Sequence, residues 1–293
     1  MAITSTPAEA DVLSFPTRVK KLNWNTVVVL LIFHAGAIAA LFNFSWRNLA
    51  VAVALFYITI GLGISMGYHR LHTHRGYKCP LWLEYFFGLC GAMSLEGGPL
   101  FWVGMHRIHH AKSDQPGDPH SPREGIMWAH CGWILFGEGN HNNTPLMAKY
   151  APDLAKHRFY YILNSYHWVP TVVLGIILWI TGGFSMVLWG IFLRVTIGLH
   201  FTWMVNSAAH VWGPRRFETT DTSRNNWWVA MVTFGEGWHN NHHAHPTSIR
   251  HGLAWYELDH SWYLVNILKF FGLAWDLKVA KLDSEIAVQR RAA

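Results

Sequence analysis

Residues 24–68 read WNTVVVLLIFHAGAIAALFNFSWRNLAVAVALFYITIGLGISMGY, and Arg47 is the only charged side chain among them. A hydrocarbon core about 30 Å thick is crossed by roughly 20 helical residues. Each side of Arg47 is long enough, and so short a connection predicts an antiparallel hairpin with helices at about 24–43 and 48–68. A second uncharged run extends from Phe159 to Leu193, is broken by Thr181-Gly182-Gly183, and continues beyond Arg194 to Trp212. It predicts a second hairpin, with helices at about 168–182 and 185–207. The fold class that follows is an all-α integral membrane protein. It forms a single domain over 1–293, with four transmembrane helices in two hairpins. Residues 69–167 and 208–293 form a helical cap.

Composition agrees. The chain is 51% hydrophobic and 14% charged, against about 25% charged in an average soluble domain. Its 17 Trp and 10 Tyr suit the membrane interface. The net charge of +6 comes from scattered Lys and Arg, with no basic run or nucleic-acid motif. Anionic lipid headgroups are therefore the expected partner of that charge, and nucleic acid is not. Cys79, Cys90 and Cys131 form no CxxC pair, which leaves a disulfide framework, a zinc knuckle and a rubredoxin-like iron site unsupported. Residues 1–15 show no signal-peptide pattern.

Basic residues set the orientation. Arg18, Lys20 and Lys21 precede the first span, Arg70, Arg75 and Lys78 follow the second, and Arg215 and Arg216 follow the fourth. The positive-inside rule places both termini and the cap in the cytoplasm. Arg194, inside a span, is expected to face protein or water. The stretch Leu81 to Gly98 is expected to lie on or dip into the inner interface.

Three histidine clusters flank the hairpins on that side. HRLHTHR carries His69, His72 and His74; HRIHH carries His106, His109 and His110; HNNHH carries His239, His242 and His243. The fourth span ends NSAAH, with Asn206 one turn before His210. Residues i, i+3 and i+4 share one helix face, so each HxxHH is expected to present three imidazoles in one direction. His69 and His74 fit less well, because five residues turn about 140° around an ideal helix. Spacing alone favours His69 with His72. His34, His157, His167, His200 and His260 read as packing or surface residues. Imidazole suits Zn, Cu, Fe and Ni. Nine candidate ligands make two sites of four or five, and two irons can activate O₂ where two zincs could only support hydrolysis.

Taken together, GYHRLHTHR, HRIHH, DPHSPREG, NSAAH, GEGWHNNHH and GLAWD resemble the membrane fatty-acid desaturases. The resemblance covers about residues 25–280 and is to the group that includes animal stearoyl-CoA and bacterial or cyanobacterial Δ9 desaturases. It implies a diiron centre with ligands His69, His74, His106, His109, His110, His210, His239, His242 and His243, and Asn206 through a water. His72 is left outside. It also implies an acyl tunnel with Trp102, Thr202 and Trp203 near its bend, and no catalytic residue beyond the metal ligands. The reaction implied is O₂-dependent insertion of a cis double bond, at Δ9, into a saturated acyl chain. Asp118 and Asp259 are candidates to orient histidines.

Animal members carry charged residues just before the second box, including a basic residue that meets CoA; here Val103, Gly104 and Met105 stand there. An acyl-lipid or another acyl carrier is favoured over acyl-CoA as substrate. No His-Pro-Gly-Gly signature of a fused cytochrome b5 occurs, so the electron donor is an external carrier such as ferredoxin or a cytochrome b5-like protein. The expected location is the bacterial inner membrane, with termini and active site on the cytoplasmic side. Competing readings are a membrane diiron alkane or sterol hydroxylase and a histidine-rich metal transporter. A transporter would hold its ligands near mid-membrane. FGEGNHNN at 136–143 nearly repeats FGEGWHNN at 234–241, but only the latter continues into His242-His243. His141 is therefore expected to bind no metal. Glycines around Glu138 and Glu236 disfavour the helical Glu-x-x-His of soluble diiron bundles.

Overall fold

The computed structural model describes residues 21–136 and 143–281; Arg18, Lys20, Glu138 and His141 lie outside the described residues. These are helical, with no β-strand and two isolated bridges among them. The principal helices are α1 (Trp24–Leu41), α2 (Trp46–Thr73), α3 (Leu81–Ala92), α4 (Pro99–Lys112), α5 (Thr144–Tyr150), α6 (Arg158–Ser165), α7 (Val169–Val211), α8 (Trp227–Val232), α9 (His239–Ala244) and α10 (His260–Phe270).

Side chains at the ends fix where α1 and α2 begin. Asn23 accepts the Thr26 N–H at 3.2 Å and Ser45 accepts the Asn48 N–H at 3.1 Å, each satisfying an otherwise free first-turn donor. α1, α2 and α7 are long and apolar enough to cross a membrane. On α1 only Ala37 and Ala40 are buried, while Leu31 is 64% and Ile38 59% exposed. Apolar surface left open on this scale belongs in lipid rather than water. The protein is a membrane protein.

Two departures from regular helix geometry position the site. From Tyr57 to Thr73, α2 widens into an i→i+5 helix, a form usually confined to single turns. It runs five residues past the expected boundary at 68, so the first histidine box sits on its last turn. In α7, Gly183 takes φ 70° and ψ −174°, a conformation open essentially only to glycine. Leu178 packs against Met186 and Ile191, and a Cβ built on Gly190 would fall 2.6 Å from Leu178 Cδ1. Twelve residues of straight helix span about 18 Å, so the chain turns sharply at Gly183.

Arg194 on the second limb of α7 is buried against protein: Nε donates to Gly190 O at 3.0 Å and one terminal nitrogen to Met93 O at 2.6 Å. α3 buries Leu83, Phe87 and Cys90 on the α2 side and exposes Trp82, Phe86 and Leu89. Tyr77, Leu83, Phe87 and Val265 form one core, and Leu100, Val103, Met147, Leu154 and Tyr160 another.

Candidate metal centre

The histidines gather into two adjoining groups. His69, His74, His106, His110 and His242 form one; His109, His210, His239 and His243 form the other. Within each group the candidate ligand atoms lie within 4.8 Å of one another. His69 and His74 meet because α2 has widened. The His74 N–H donates to His69 O at 3.1 Å, the i→i+5 bond, and their rings stand 4.8 Å apart. The 140° objection applies to a 3.6-residue helix, and the chain does not form one there. His72 turns the other way and takes the Tyr160 hydroxyl at 2.9 Å.

Each HxxHH box divides between the groups, which corrects the expectation of one common direction. In α4 the i, i+4 pair His106 and His110 joins the first group and His109 the second. In α9 the i, i+4 pair His239 and His243 joins the second group and His242 the first. The i+3 side chain lies on the opposite flank of the face from i+4, so each helix straddles both groups, with the roles exchanged.

Converging nitrogens and diverging partners define the chemistry. His69 Nε2 lies 3.1 Å from His242 Nε2, His242 Nε2 3.0 Å from His110 Nε2, and His239 Nε2 3.0 Å from His210 Nε2. His74, His109 and His243 have buried Nε2 atoms with no hydrogen-bond partner. Carboxylates stand on the outer nitrogens. Glu236 Oε2 is 2.6 Å from His69 Nδ1, Asp118 Oδ1 3.0 Å from His109 Nδ1, and Asp221 Oδ2 2.5 Å from His243 Nδ1. Asp114 Oδ2 is 3.6 Å from His210 Nδ1. A carboxylate on Nδ1 holds the hydrogen there and leaves Nε2 as the free donor, as at metal-bound histidines.

Protonation tendencies fit the same picture. Burial first, then the neighbouring imidazoles, hold His74, His106, His110, His239 and His242 well below the usual histidine range. His109 is the exception: burial pushes it down, but Asp118 outweighs burial and raises it. Burial pushes Asp114, Asp118 and Asp221 up, and their facing imidazoles more than reverse this, so all three stay ionised. Among the described residues no Lys or Arg pairs with these three. Neutral nitrogens pointing inward, ringed by buried carboxylates, therefore fit positive metal charge at the centre. An imidazole-only donor set excludes Mg²⁺ or Ca²⁺ as the preferred ion.

Beside the first group lies a cavity of about 600 Å³, lined by Trp102, His106, Thr202, Trp203 and Asn206 together with apolar side chains from α1, α4 and α7. The Trp102 ring packs on His106 at 5.0 Å.

The model for the family described as Fatty acid desaturase matches residues 44–276. The chain belongs to this family. It is 46% identical over 262 residues to the sn-1 stearoyl-lipid 9-desaturase of Anabaena variabilis, covering 89% of this chain and 95% of that protein. It is also similar to the chloroplastic palmitoyl-monogalactosyldiacylglycerol delta-7 desaturase of Arabidopsis thaliana, at 43% over 279 residues, 93% and 72% of the two chains. To the acyl-CoA C20 Delta5-desaturase of Anemone leveillei it is 38% identical over 301 residues, 95% and 94%. As a member of the fatty acid desaturases the chain is an oxidoreductase.

Several residues of this desaturase site escaped sequence reasoning. Asp118 meets His109 as expected, whereas Asp259 touches no imidazole ring. It holds Arg70 at 2.9 Å, and Arg70 in turn holds Glu236 at 2.9 Å, so Asp259 acts one step further out. Glu236 also lies 3.1 Å from His251 Nδ1 and bonds Ser65. Asp114, Asp221 and His251 had no spacing to announce them, and the Glu-x-x-His spacing of Glu236 pointed to His239 and not to His69, which it meets. Buried His120 packs on His109 at 4.3 Å and lines the cavity. His130 belongs to a separate ladder. Its Nε2 meets His200 Nδ1 at 2.9 Å, and His200 Nε2 meets His34 Nε2 at 3.0 Å.

Proposed function

We propose that the chain is an O₂-dependent acyl-lipid desaturase that places a cis double bond at Δ9 of a saturated chain. Two irons would be held by His69, His74, His106, His110 and His242 and by His109, His210, His239 and His243, with Asn206 reaching one of them through a water. The single observation that carries this reading is the pair of converged histidine groups against an apolar cavity. When bound, the metal pair supplies O₂ activation strong enough to remove two vicinal hydrogens from an unactivated chain. The balance is one O₂, two electrons and two protons in, and one alkene and two waters out.

The protein's own residues supply the rest. The cavity walls exclude water and fix which methylenes stand nearest the histidines. Trp102, Thr202, Trp203, Asn206 and His120 line the cavity, with Trp102 packed on His106 of the first group and His120 on His109 of the second. Asp118, Asp221 and Glu236 keep protons on the outer imidazole nitrogens. Val29 on α1 and Val172 on α7 line the cavity while 50% and 49% exposed, which supports entry of an acyl chain from the bilayer. Val103 and Met105 are buried in a core, so this stretch offers no cation to a CoA headgroup. The sn-1 stearoyl-lipid name of a relative agrees.

We further propose four crossings in two hairpins: α1 with α2, and the two limbs of α7 about Gly183. Both termini, the cap and the histidines then face the cytoplasm of a bacterial inner membrane. A ferredoxin or cytochrome b5-like carrier docks there to deliver electrons. The test is expression in a host lacking the product, with gas chromatography and double-bond localisation. New cis-Δ9 chains on membrane lipids, absent with His106→Ala, and about two irons per purified chain are expected. Hydroxylated chains, zinc in place of iron, or turnover of acyl-CoA but not lipid would overturn it.

A further inference from the structure

Four large apolar side chains of α10 stand exposed in the cap. Tyr263, Ile267, Phe270 and Phe271 follow i, i+4, i+7 and i+8 spacing, so they share one stripe of the helix, and Phe270 is 84% exposed. Ser261 and Val265 are buried on the stripe turned to the protein. Asn266 and Lys269, one turn apart, fall on a third side, where Lys269 is exposed. A surface helix in water needs two sides, one apolar towards the core and one polar towards solvent. α10 has three, and the additional one is apolar.

The second span supplies a ruler for its depth. From Trp46, the exposed ring that opens α2, to Ser65 the helix rises at most about 29 Å, within a hydrocarbon core about 30 Å thick. Ser65 Oγ lies 2.7 Å from Ser261 Oγ in the first turn of α10, and Leu62 and Met66 join the core that holds Val265. Phe234, whose carbonyl accepts the Ser261 N–H, sets its ring 5.2 Å from Tyr57, only about 17 Å along α2 from Trp46. The far end of α10 returns to the start of α3, where Lys78 and Trp275 exchange backbone hydrogen bonds at 2.8 and 2.9 Å. α3 shares the same core through Leu83 and Phe87 and turns Trp82, Phe86 and Leu89 outward. Both helices pack on the widened half of α2, so the outer face of α10 continues the apolar surface of the span.

We propose that α10 is seated in the leaflet nearest the histidines, with its Tyr263, Ile267, Phe270 and Phe271 stripe on lipid acyl chains and Lys269 at the headgroups. The partner of this face is lipid, because its inner side is fixed to residues at hydrocarbon depth and its flank carries the cation that suits the boundary. The inference does not depend on the acyl-desaturase reading. It bears on the site through Asp259, which caps α10 at the Trp262 N–H at 3.1 Å and holds Arg70, the partner of Glu236. The chain of contacts that keeps Glu236 on His69 thus starts from a lipid-seated helix.

The test uses the iron-loaded full chain in nanodiscs of phosphatidylcholine and phosphatidylglycerol. Cys79 and Cys90 are buried, so Cys131→Ser supplies a background with no accessible thiol. Bimane is attached at Ile267→Cys, Phe271→Cys and Lys269→Cys in turn, and its quenching by a lipid bearing an acyl-chain nitroxide is compared with quenching by aqueous iodide. The nitroxide lipid is expected to quench the Ile267→Cys and Phe271→Cys labels several-fold more strongly than the Lys269→Cys label, and iodide to reverse the order. Equal iodide quenching of all three labels would put the face in water and overturn the proposal. Shielding of the Ile267→Cys and Phe271→Cys labels from both quenchers would show protein covering the face and overturn it equally. Should Phe271→Cys fail to fold, Phe270→Cys on the same stripe takes its place. The readout is depth and not turnover, so an inactive enzyme with the expected quenching would count against the desaturase reading alone.

Discussion

Asp221→Asn separates a metal-supporting carboxylate from a merely buried one. Asp221 Oδ1 accepts three hydrogen bonds, from Thr219 Oγ1 at 2.8 Å, Ser223 N–H at 3.0 Å and Ser223 Oγ at 2.5 Å. The backbone N–H cannot reverse its role, so the carbonyl of an asparagine has to remain there. Its NH₂ then takes the Oδ2 position, 2.5 Å from His243 Nδ1. A donor at that point demands the Nδ1 lone pair and moves the ring hydrogen to Nε2, the atom buried without a partner. His243 is thereby lost as a donor to the second group without any change of shape. Removing such a supporting carboxylate typically costs 10–100-fold in metal affinity, about 1.4–2.8 kcal/mol. Purified protein loaded with iron is dialysed against graded chelator, and iron per chain is measured together with the melting temperature. One of two irons is expected to leave at roughly 10–100-fold lower chelator strength, while the other follows the wild-type curve. Superimposable curves from an equally stable variant would refute the ligand reading of the second group.

His72→Gln is expected to leave iron content unchanged and to cost about 1 kcal/mol for the lost Tyr160 bond, whereas His74→Gln lowers iron content; metal analysis of the pair checks which histidine completes the first box. Acidification is expected to release metal and to destabilise the metal-free fold. Unfolded imidazoles take protons below about 6.5, while burial above all holds His243 in the fold at about 4 and its neighbours His239 and His242 lower than usual. Stability is therefore full above about 6.5 and falls as pH drops towards about 4, which melting curves at graded pH would follow. Gly183→Ala is expected to cost about 1–3 kcal/mol through backbone strain alone, because a Cβ there meets no atom within 4 Å; an unchanged melting temperature in detergent would contradict the turn.

The crossing length of α1 and α2 was legible because lipid imposes a simple rule, length without charge, although α2 runs five residues past its expected end at 68. That the histidines of α4 and α9 gather was legible from their i, i+3 and i+4 spacing, whereas the division of each box between two groups was not. Nor was the widening of α2, since no residue type marks an i→i+5 helix, and only the resemblance preferred His74 to His72. Carboxylates that touch histidines from distant turns were equally silent: Asp221 reaches His243 across 22 residues and Glu236 reaches His69 across far more.

The glycines of FGEGWHNN carry the last step. They argue correctly against a helical Glu-x-x-His, for Phe234 and Gly235 take φ 60° and 111°. Yet the same backbone brings Glu236 to His69. A Cβ on Gly235 would collide with Asp259 Oδ1 and fall 2.9 Å from a terminal nitrogen of Arg70, so only a bare Cα lets this turn close over the buried ion pair. Arg70 is thus clamped between Asp259 and Glu236, one residue after His69 on the last turn of α2. Burial pushes the Glu236 carboxyl up, but Arg70 and His69 together hold it well below the usual range. An ionised carboxylate fixed from both sides can keep its proton-accepting oxygen on His69 Nδ1. The motif therefore serves the histidine groups twice, through His239 and the His242-His243 pair that follows it and through Glu236 at its start.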